Sequence, residues 1–184
     1  MTMKRHELTE TERERMIEGA LKRAGIDRWR PERRELEKEI VDYLDKKHPC
    51  CLATSSKDGE PRISVVEYVN DGLAVYIMSE GGGKFKNLQE NNKVAVGIGN
   101  SARTYKSERG VNIWGVAEIF DQDTQEFVHA LKLFLPMFQQ FEVGAPTNDM
   151  KDKDYIVRLI RITPTKIVYN HTYKGILNAY WHAQ

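Results

Sequence analysis

Five consecutive residues, Glu80-Gly81-Gly82-Gly83-Lys84, carry the clearest chemistry in this chain of 184 residues. Glycines leave backbone N–H groups unobstructed, a helix starting just after them directs its positive end into the loop, and Lys84 adds a full charge. Such a segment suits a phosphate. It is not a Walker A loop, because the spacing G-x-x-x-x-G-K-[ST] fails and Phe85 follows the lysine, and it is not a G-x-G-x-x-G fingerprint. On their own the five residues read more readily as a flexible loop with a solvated lysine. Arg62 strengthens the anion reading. It opens a strand in which alternation puts Arg62, Ser64, Val66 and Tyr68 on one face and Ile63, Val65, Glu67 and Val69 on the other. If that strand pairs with Leu73–Ser79 through an Asn70-Asp71-Gly72 turn, Arg62 and Ser64 lie near Met78-Ser79, where the glycine loop begins. An arginine, a hydroxyl and a lysine then converge on one anion. The plainer alternative is an edge-strand arginine paired with Glu60 or Glu80.

The elements that must hold these residues follow from periodicity and turn chemistry. Cys50–Ser56 reads as a short apolar strand followed by a Lys57-Asp58-Gly59 hairpin turn, Arg62–Val69 as a second strand, and Leu73–Ser79 as a third. Lys84–Asn91 reads as a short helix with Phe85 and Leu88 inward, followed by strands at Lys93–Gly99 and Val111–Phe120. Helical spacing returns in Thr124–Phe141 at Phe127, Ala130, Leu131, Phe134 and Leu135. Tyr155–Ile162 and Lys166–Asn170 form a last pair interrupted at Pro164, a residue that suits a turn or an edge and not a central strand. Six or seven short, tightly connected strands predict a mainly β (α+β) fold built on an antiparallel barrel.

Residues 1–47 differ in composition, with 13 Lys/Arg and 12 Asp/Glu in a stretch that is over half charged yet almost neutral. Two helices are expected there. Thr9 and Glu12 fit a capping box ahead of Ile17, Ala20, Leu21 and Ala24, with Gly25 as terminator. Pro31 suits the first turn of a second helix bearing Leu36, Ile40, Val41 and Leu44 on one face, closed by His48-Pro49. The expected organisation is a helical extension (1–47), a barrel (48–171) and a C-terminal tail (172–184). The net charge of +1 argues against a dedicated nucleic-acid binder, and no apolar run approaches the roughly 18 residues that span a bilayer. A polar N-terminus without a signal pattern and only two cysteines predict a soluble, cytoplasmic protein without disulfides.

The run CCLATSSKDGEPRISVVEYVNDGLAVYIMSEGGGKFKNLQENNKVAVGI resembles the core of the pyridoxamine 5′-phosphate oxidase-like, FMN-binding split-barrel superfamily. The shared order is a strand ending in A-T, a turn D-G-x-P, an apolar and basic strand, an apolar third strand, a glycine-rich loop, a lysine, an N-L and a V-A-V strand. The similarity continues more weakly through NIWGVAEIF and RLIRITPTKIVY, covering roughly residues 48–170. The resemblance implies a six-stranded antiparallel split barrel with a helical N-terminal extension. It also implies a homodimer with FMN at the subunit interface and an FMN-dependent oxidoreductase activity. By the same resemblance Arg62, Ile63, Ser64 and Val65 line the flavin, while Met78, Ser79, Gly82 and Lys84 hold its phosphate and ribityl chain. Three departures set the substrate apart from pyridoxamine or pyridoxine phosphate. Gly81-Gly82-Gly83 offers only backbone, Gly110 stands where those oxidases carry a glutamine, and their R-L-x-P ending is missing. A small-molecule substrate or a nicotinamide nucleotide would be the partner of the flavin.

Other residues are weighed against this reading. Cys50 and Cys51 point to opposite faces of a strand, which favours a structural over a redox role. His6, His48, His129, His171 and His182 show no metal-ligand spacing. Within the same fold a haem or a deazaflavin could replace FMN, with His171 or His182 as the axial ligand of a haem. A non-enzymatic flavin-binding sensor, using the charged helices to meet a partner, is the reading from a different class. The tail, with Tyr173, Tyr180, Trp181 and His182, is expected either to dock near the flavin or to pack on the surface.

Overall fold

Turn chemistry and alternation set the strands, and the order in which the strands pair builds the barrel. The computed structural model describes residues 8–46, 49–141 and 157–184. His6, His48, Tyr155 and Ile156, named above, lie outside the described residues. In chain order the elements are α1 (Glu10–Arg23), α2 (Arg33–Leu44), β1 (Cys50–Ser55), β2 (Pro61–Val66), β3 (Val69–Asp71), β4 (Ala74–Ser79), α3 (Gly83–Glu90), β5 (Lys93–Gly99), β6 (Arg109–Phe120), α4 (Gln125–Gln140), β7 (Arg158–His171) and β8 (Ile176–His182). The strands form one sheet in the order β2-β1-β5-β6-β7-β4-β3, with β8 added beside β7, and every pairing is antiparallel. This sheet curls into the expected split barrel, with eight strand segments among the described residues instead of six.

Two expectations about individual strands need correction. The stretch Arg62–Val69 is not one strand. It breaks at Glu67-Tyr68, because the Tyr68 ring is fully buried and its hydroxyl donates to the Leu44 carbonyl at 2.9 Å. Only β3 pairs with β4 through the Asn70-Asp71-Gly72 turn, while β2 pairs with β1. Pro164 also lies inside β7, the strand that joins β6, β4 and β8. It is tolerated because the β6 register shifts there, from Trp114 opposite Lys166 to Gly115 opposite Pro164. On the other edge, β4 pairs only up to Ile162 and β8 starts at Lys166, so no ladder bond needs the missing N–H.

The barrel interior is filled by Leu52, Val75, Ile77, Phe85, Ile113 and Ile160 among others, and α2 adds Leu36, Ile40, Tyr43 and Leu44 to the same cluster. A second cluster under α4 joins Phe127, Phe134 and Met137 to Tyr76 and Leu159, whereas Leu135, expected on the inner stripe, is exposed. The Thr9–Glu12 capping box forms as expected. Helix α2 starts after Glu32, two residues beyond Pro31. The tail becomes β8. Trp181 is buried there, its Nε1 donating to Glu37 at 2.6 Å, and Arg28 donates to the Leu177 carbonyl at 2.7 Å, so the tail ties the helices to the sheet. Among the described residues no helix is long and apolar enough to cross a membrane.

Candidate functional site

The route by which Arg62 reaches the glycine loop differs from the one the turn suggested. Arg62 stands opposite Thr54 in the β1–β2 register, and Thr54 accepts a 3.1 Å hydrogen bond from Asn87 on α3. Asn91 further anchors the helix by donating to Ser55 at 2.8 Å. Strand β1 therefore holds β2 on one side and α3 on the other, and Arg62 folds onto the first residue of α3. A Cβ placed on Gly83 would lie 2.9 Å from Arg62 Nη1.

Lys84 is buried, and its Nζ donates to the Gly81 carbonyl at 2.6 Å while sitting 5.4 Å from the Phe85 ring centre. Burial first, and then the charge of Arg62, hold the ammonium below the ordinary lysine value. Gly82 caps α3 at φ 100°, a conformation natural only to glycine. Arg62 makes no ion pair among the described residues, so neither Glu60 nor Glu80 neutralises it. A pocket of about 240 Å³ opens beside it, lined by Arg62, Gly83, Lys86, Asn87, Ser56 and Glu60. Two adjacent cations, a third at Lys86 and the start of a helix are an arrangement that a phosphate would relieve.

Sequence reasoning missed Arg158. It stands opposite Ser79 in the β4–β7 register, and its guanidinium lies 4.0 Å from the centre of the Phe85 ring, with Nε buried and unpartnered. Its signal was alternation, because Arg158, Ile160 and Ile162 share the inward face of β7. Lys86 was not singled out from the sequence, and Asn87 entered only as part of the N-L pair of the resemblance.

The eight residues singled out from sequence fall into three places. Arg62, Ser79, Gly82 and Lys84 gather at the inner mouth of the barrel around the loop, with Ser79 Oγ donating to the Gly81 carbonyl at 3.4 Å, and Ser64 follows Arg62 on the same face of β2, opposite Leu52. Ile63 and Val65 turn to the outer face, where they are 68% and 70% exposed. They stand opposite Ala53 and Cys51 in an apolar stretch that runs on to the exposed Trp114. Met78 faces the opposite side of β4 and lines a separate cleft beneath α4.

The cysteines divide as expected: Cys50 is buried, its thiol pushed up to about 12 chiefly by desolvation, and Cys51 is exposed. His171 lies at the far end of β7 from the loop, its ring 3.6 Å from Glu39, and His182 is exposed beside Tyr180 on β8. Gly110 packs against the Ile98 carbonyl, which a Cβ would approach to 3.2 Å. Among the described residues no group of three His, Cys, Asp or Glu could hold a metal ion.

A sequence model of the family described as pyridoxamine 5′-phosphate oxidase matches residues 36–169 of the chain. No curated protein matches. Among solved structures, a conserved hypothetical protein of Mycobacterium tuberculosis is 25% identical, with a TM-score of 0.59 over 75% of this chain and 86% of that one. The heme storage protein HutZ of Vibrio cholerae is 20% identical, with a TM-score of 0.51 over 70% and 89% of the two chains. An F420 reductase is 22% identical, with a TM-score of 0.51 over 68% and 93%. The latter two likenesses concern the fold.

Proposed function

Because the chain belongs to the pyridoxamine 5′-phosphate oxidase-like split-barrel family, we propose that it binds FMN at the glycine loop and acts as an FMN-dependent oxidoreductase. The observation that carries the reading is the convergence of Arg62 and buried Lys84 on Gly82-Gly83 beside an open pocket, with no carboxylate paired to either among the described residues. Arg62, Lys84 and Lys86 would neutralise the phosphate, the backbone of Gly82-Gly83 would donate to it, and Ser64 and Ser79 would meet the ribityl hydroxyls. Once bound, the flavin supplies the electron-transfer chemistry, and the chain supplies charge and position.

The same reading makes the outer face an interface between two copies of the chain. Ile63, Val65, Cys51 and Trp114 leave an apolar surface that a monomer would not ordinarily expose. Light scattering after gel filtration checks this: wild type should run as a dimer and Val65→Lys as a monomer.

The primary test is the absorption spectrum of the purified protein, followed by mass identification of the released chromophore. Flavin bands and the mass of FMN are expected. A Soret band, or a colourless protein that refuses added FMN, overturns the proposal.

A further inference from the structure

A cleft of about 560 Å³ lies between α4 and the end of β4, on the other side of the glycine loop from the Arg62 pocket. That size suits a small organic molecule. Its floor is apolar: Met78, Phe134, Met137, Phe138 and Val157 line it. Phe134 and Phe138 stack at 5.9 Å between ring centres, with 28° between their planes.

Among the described residues, the charged groups lining this cleft have one sign. Glu67, at the break between β2 and β3, and Glu80, at the start of the loop, both line it, and no Lys, Arg or His is among the described lining residues. Glu67 is exposed and has no hydrogen-bond or ion-pair partner among the described residues. The charge of Glu67 disfavours a phosphate or carboxylate beside it, and a neutral apolar guest would gain nothing from that charge. A protonated amine would satisfy the carboxylate while its apolar body lay on the aromatic and thioether floor.

We propose that this cleft binds an apolar organic cation, a protonated amine carried on an aryl or alkyl body. The inference rests on the flavin reading and deepens it by naming the class of second ligand, and Ser79, which that reading sets against the ribityl chain, also lines this cleft. Its test is therefore read on flavin-free and FMN-loaded protein, so that the two ideas can fail separately.

The probes are 4-phenylbutylamine, the neutral 4-phenylbutanol and the anionic 4-phenylbutyrate, titrated by calorimetry and by saturation-transfer NMR. The amine should bind roughly tenfold more tightly than the alcohol, a ratio of the order one charge-assisted contact supplies, and the carboxylate more weakly than both. Glu67→Gln should bring the amine down to the level of the alcohol without moving the alcohol itself. Glu67→Lys should reverse the preference, a result that loss of folding cannot imitate. Equal binding of the three probes overturns the proposal, as does tightest binding of the carboxylate. Binding of none of them also overturns it, whether a second copy or another part of the chain fills the cleft. Amine binding that FMN abolishes by competition would make the cleft part of the flavin site and overturns its separate assignment. A protein that takes the amine but refuses FMN leaves this inference standing and removes the flavin reading.

Discussion

Gly83 and Arg62, far apart in the chain, share one space: a Cβ on Gly83 would lie 2.9 Å from Nη1 and 3.0 Å from Cζ of Arg62. The absent side chain at the start of α3 is what lets the guanidinium lie across the loop. Lys84 is the next residue, and its burial, followed by the charge of Arg62, holds its ammonium below the ordinary lysine value unless an anion stands beside it.

Gly83→Ala should therefore separate binding from stability. Alanine is favoured over glycine inside a helix by up to about 1 kcal/mol, so the fold should hold or gain slightly. The Arg62 side chain must swing away, and FMN affinity should fall by about tenfold, as expected when one charge-assisted contact is lost. Flavin fluorescence quenching and urea unfolding on the same variant check the pair of outcomes.

Lys84→Ala should weaken FMN binding by about 1.5–3 kcal/mol, the usual worth of a hydrogen bond to a charged group. A pH dependence accompanies it. The folded protein holds Lys84 below its ordinary 10.5, so between the two values it binds fewer protons than the unfolded chain and gains stability as pH rises. A bound phosphate favours the charged form and opposes this. FMN affinity should thus decline as pH rises toward 10.5, beginning below the titration of an exposed lysine. Lys84→Arg keeps its charge, and binding titrations across that range should show a flatter decline.

Glu39, on α2, is buried between Lys174, whose Nζ donates to Oε1 at 2.5 Å, and His171 at 3.6 Å. Burial raises the carboxyl, but the hydrogen bond and charge of Lys174, followed by His171, outweigh it and leave the pKa below the ordinary 4.5. His171 is itself held below 6.5 by burial and by Arg109. Both groups bind fewer protons folded than unfolded, so both remove stability as pH falls. The decline should begin as pH drops below 6.5 with His171 and continue below 4.5 with Glu39. Glu39→Gln should cost about 1–3 kcal/mol at neutral pH, toward the lower figure because Lys174 is partly in water, and should remove the lower step. Denaturant midpoints measured against pH, with His171→Gln removing the upper step, decide this.

Gly175 sits at φ 71°, and a Cβ there would fall 1.9 Å from the Asp27 carbonyl oxygen. Its own carbonyl accepts from Trp29 N–H at 3.1 Å, which docks the segment between α1 and α2 onto the tail. Gly175→Ala should expel that segment and cost about 1–3 kcal/mol from backbone strain alone. Gly25→Ala, also at positive φ but with nothing within 4 Å of the added Cβ, should cost only that strain, about 1–2 kcal/mol, and leave the segment docked. Limited proteolysis between Gly25 and Pro31 should accelerate only in the first variant.

Much of the fold was legible in the chain. The capping box at Thr9–Glu12, the helix carrying Phe85 and Leu88, and the glycine turns after β1 and β3 all depend on neighbours within a few residues. Alternation also separated Arg62 and Ser64 from Ile63 and Val65, because side chains in a strand can point in only two directions.

The choice of neighbour was legible only at the two hairpins, β1 with β2 and β3 with β4. The Asn70-Asp71-Gly72 turn was present in the sequence, yet β2 left β4 for β1, because burying Tyr68 against Leu44 bends the chain at Glu67. Pro164 looked unfit for a central strand until a register shift on one edge and a gap between β4 and β8 on the other removed the need for its N–H. Arg158 reached the loop only through its register with Ser79, and the tail became a strand only because β7 had an edge to offer. Local residues set the backbone conformations and the faces of each element. Which strands met was decided by long-range burial and by backbone hydrogen bonds whose partners no local pattern names.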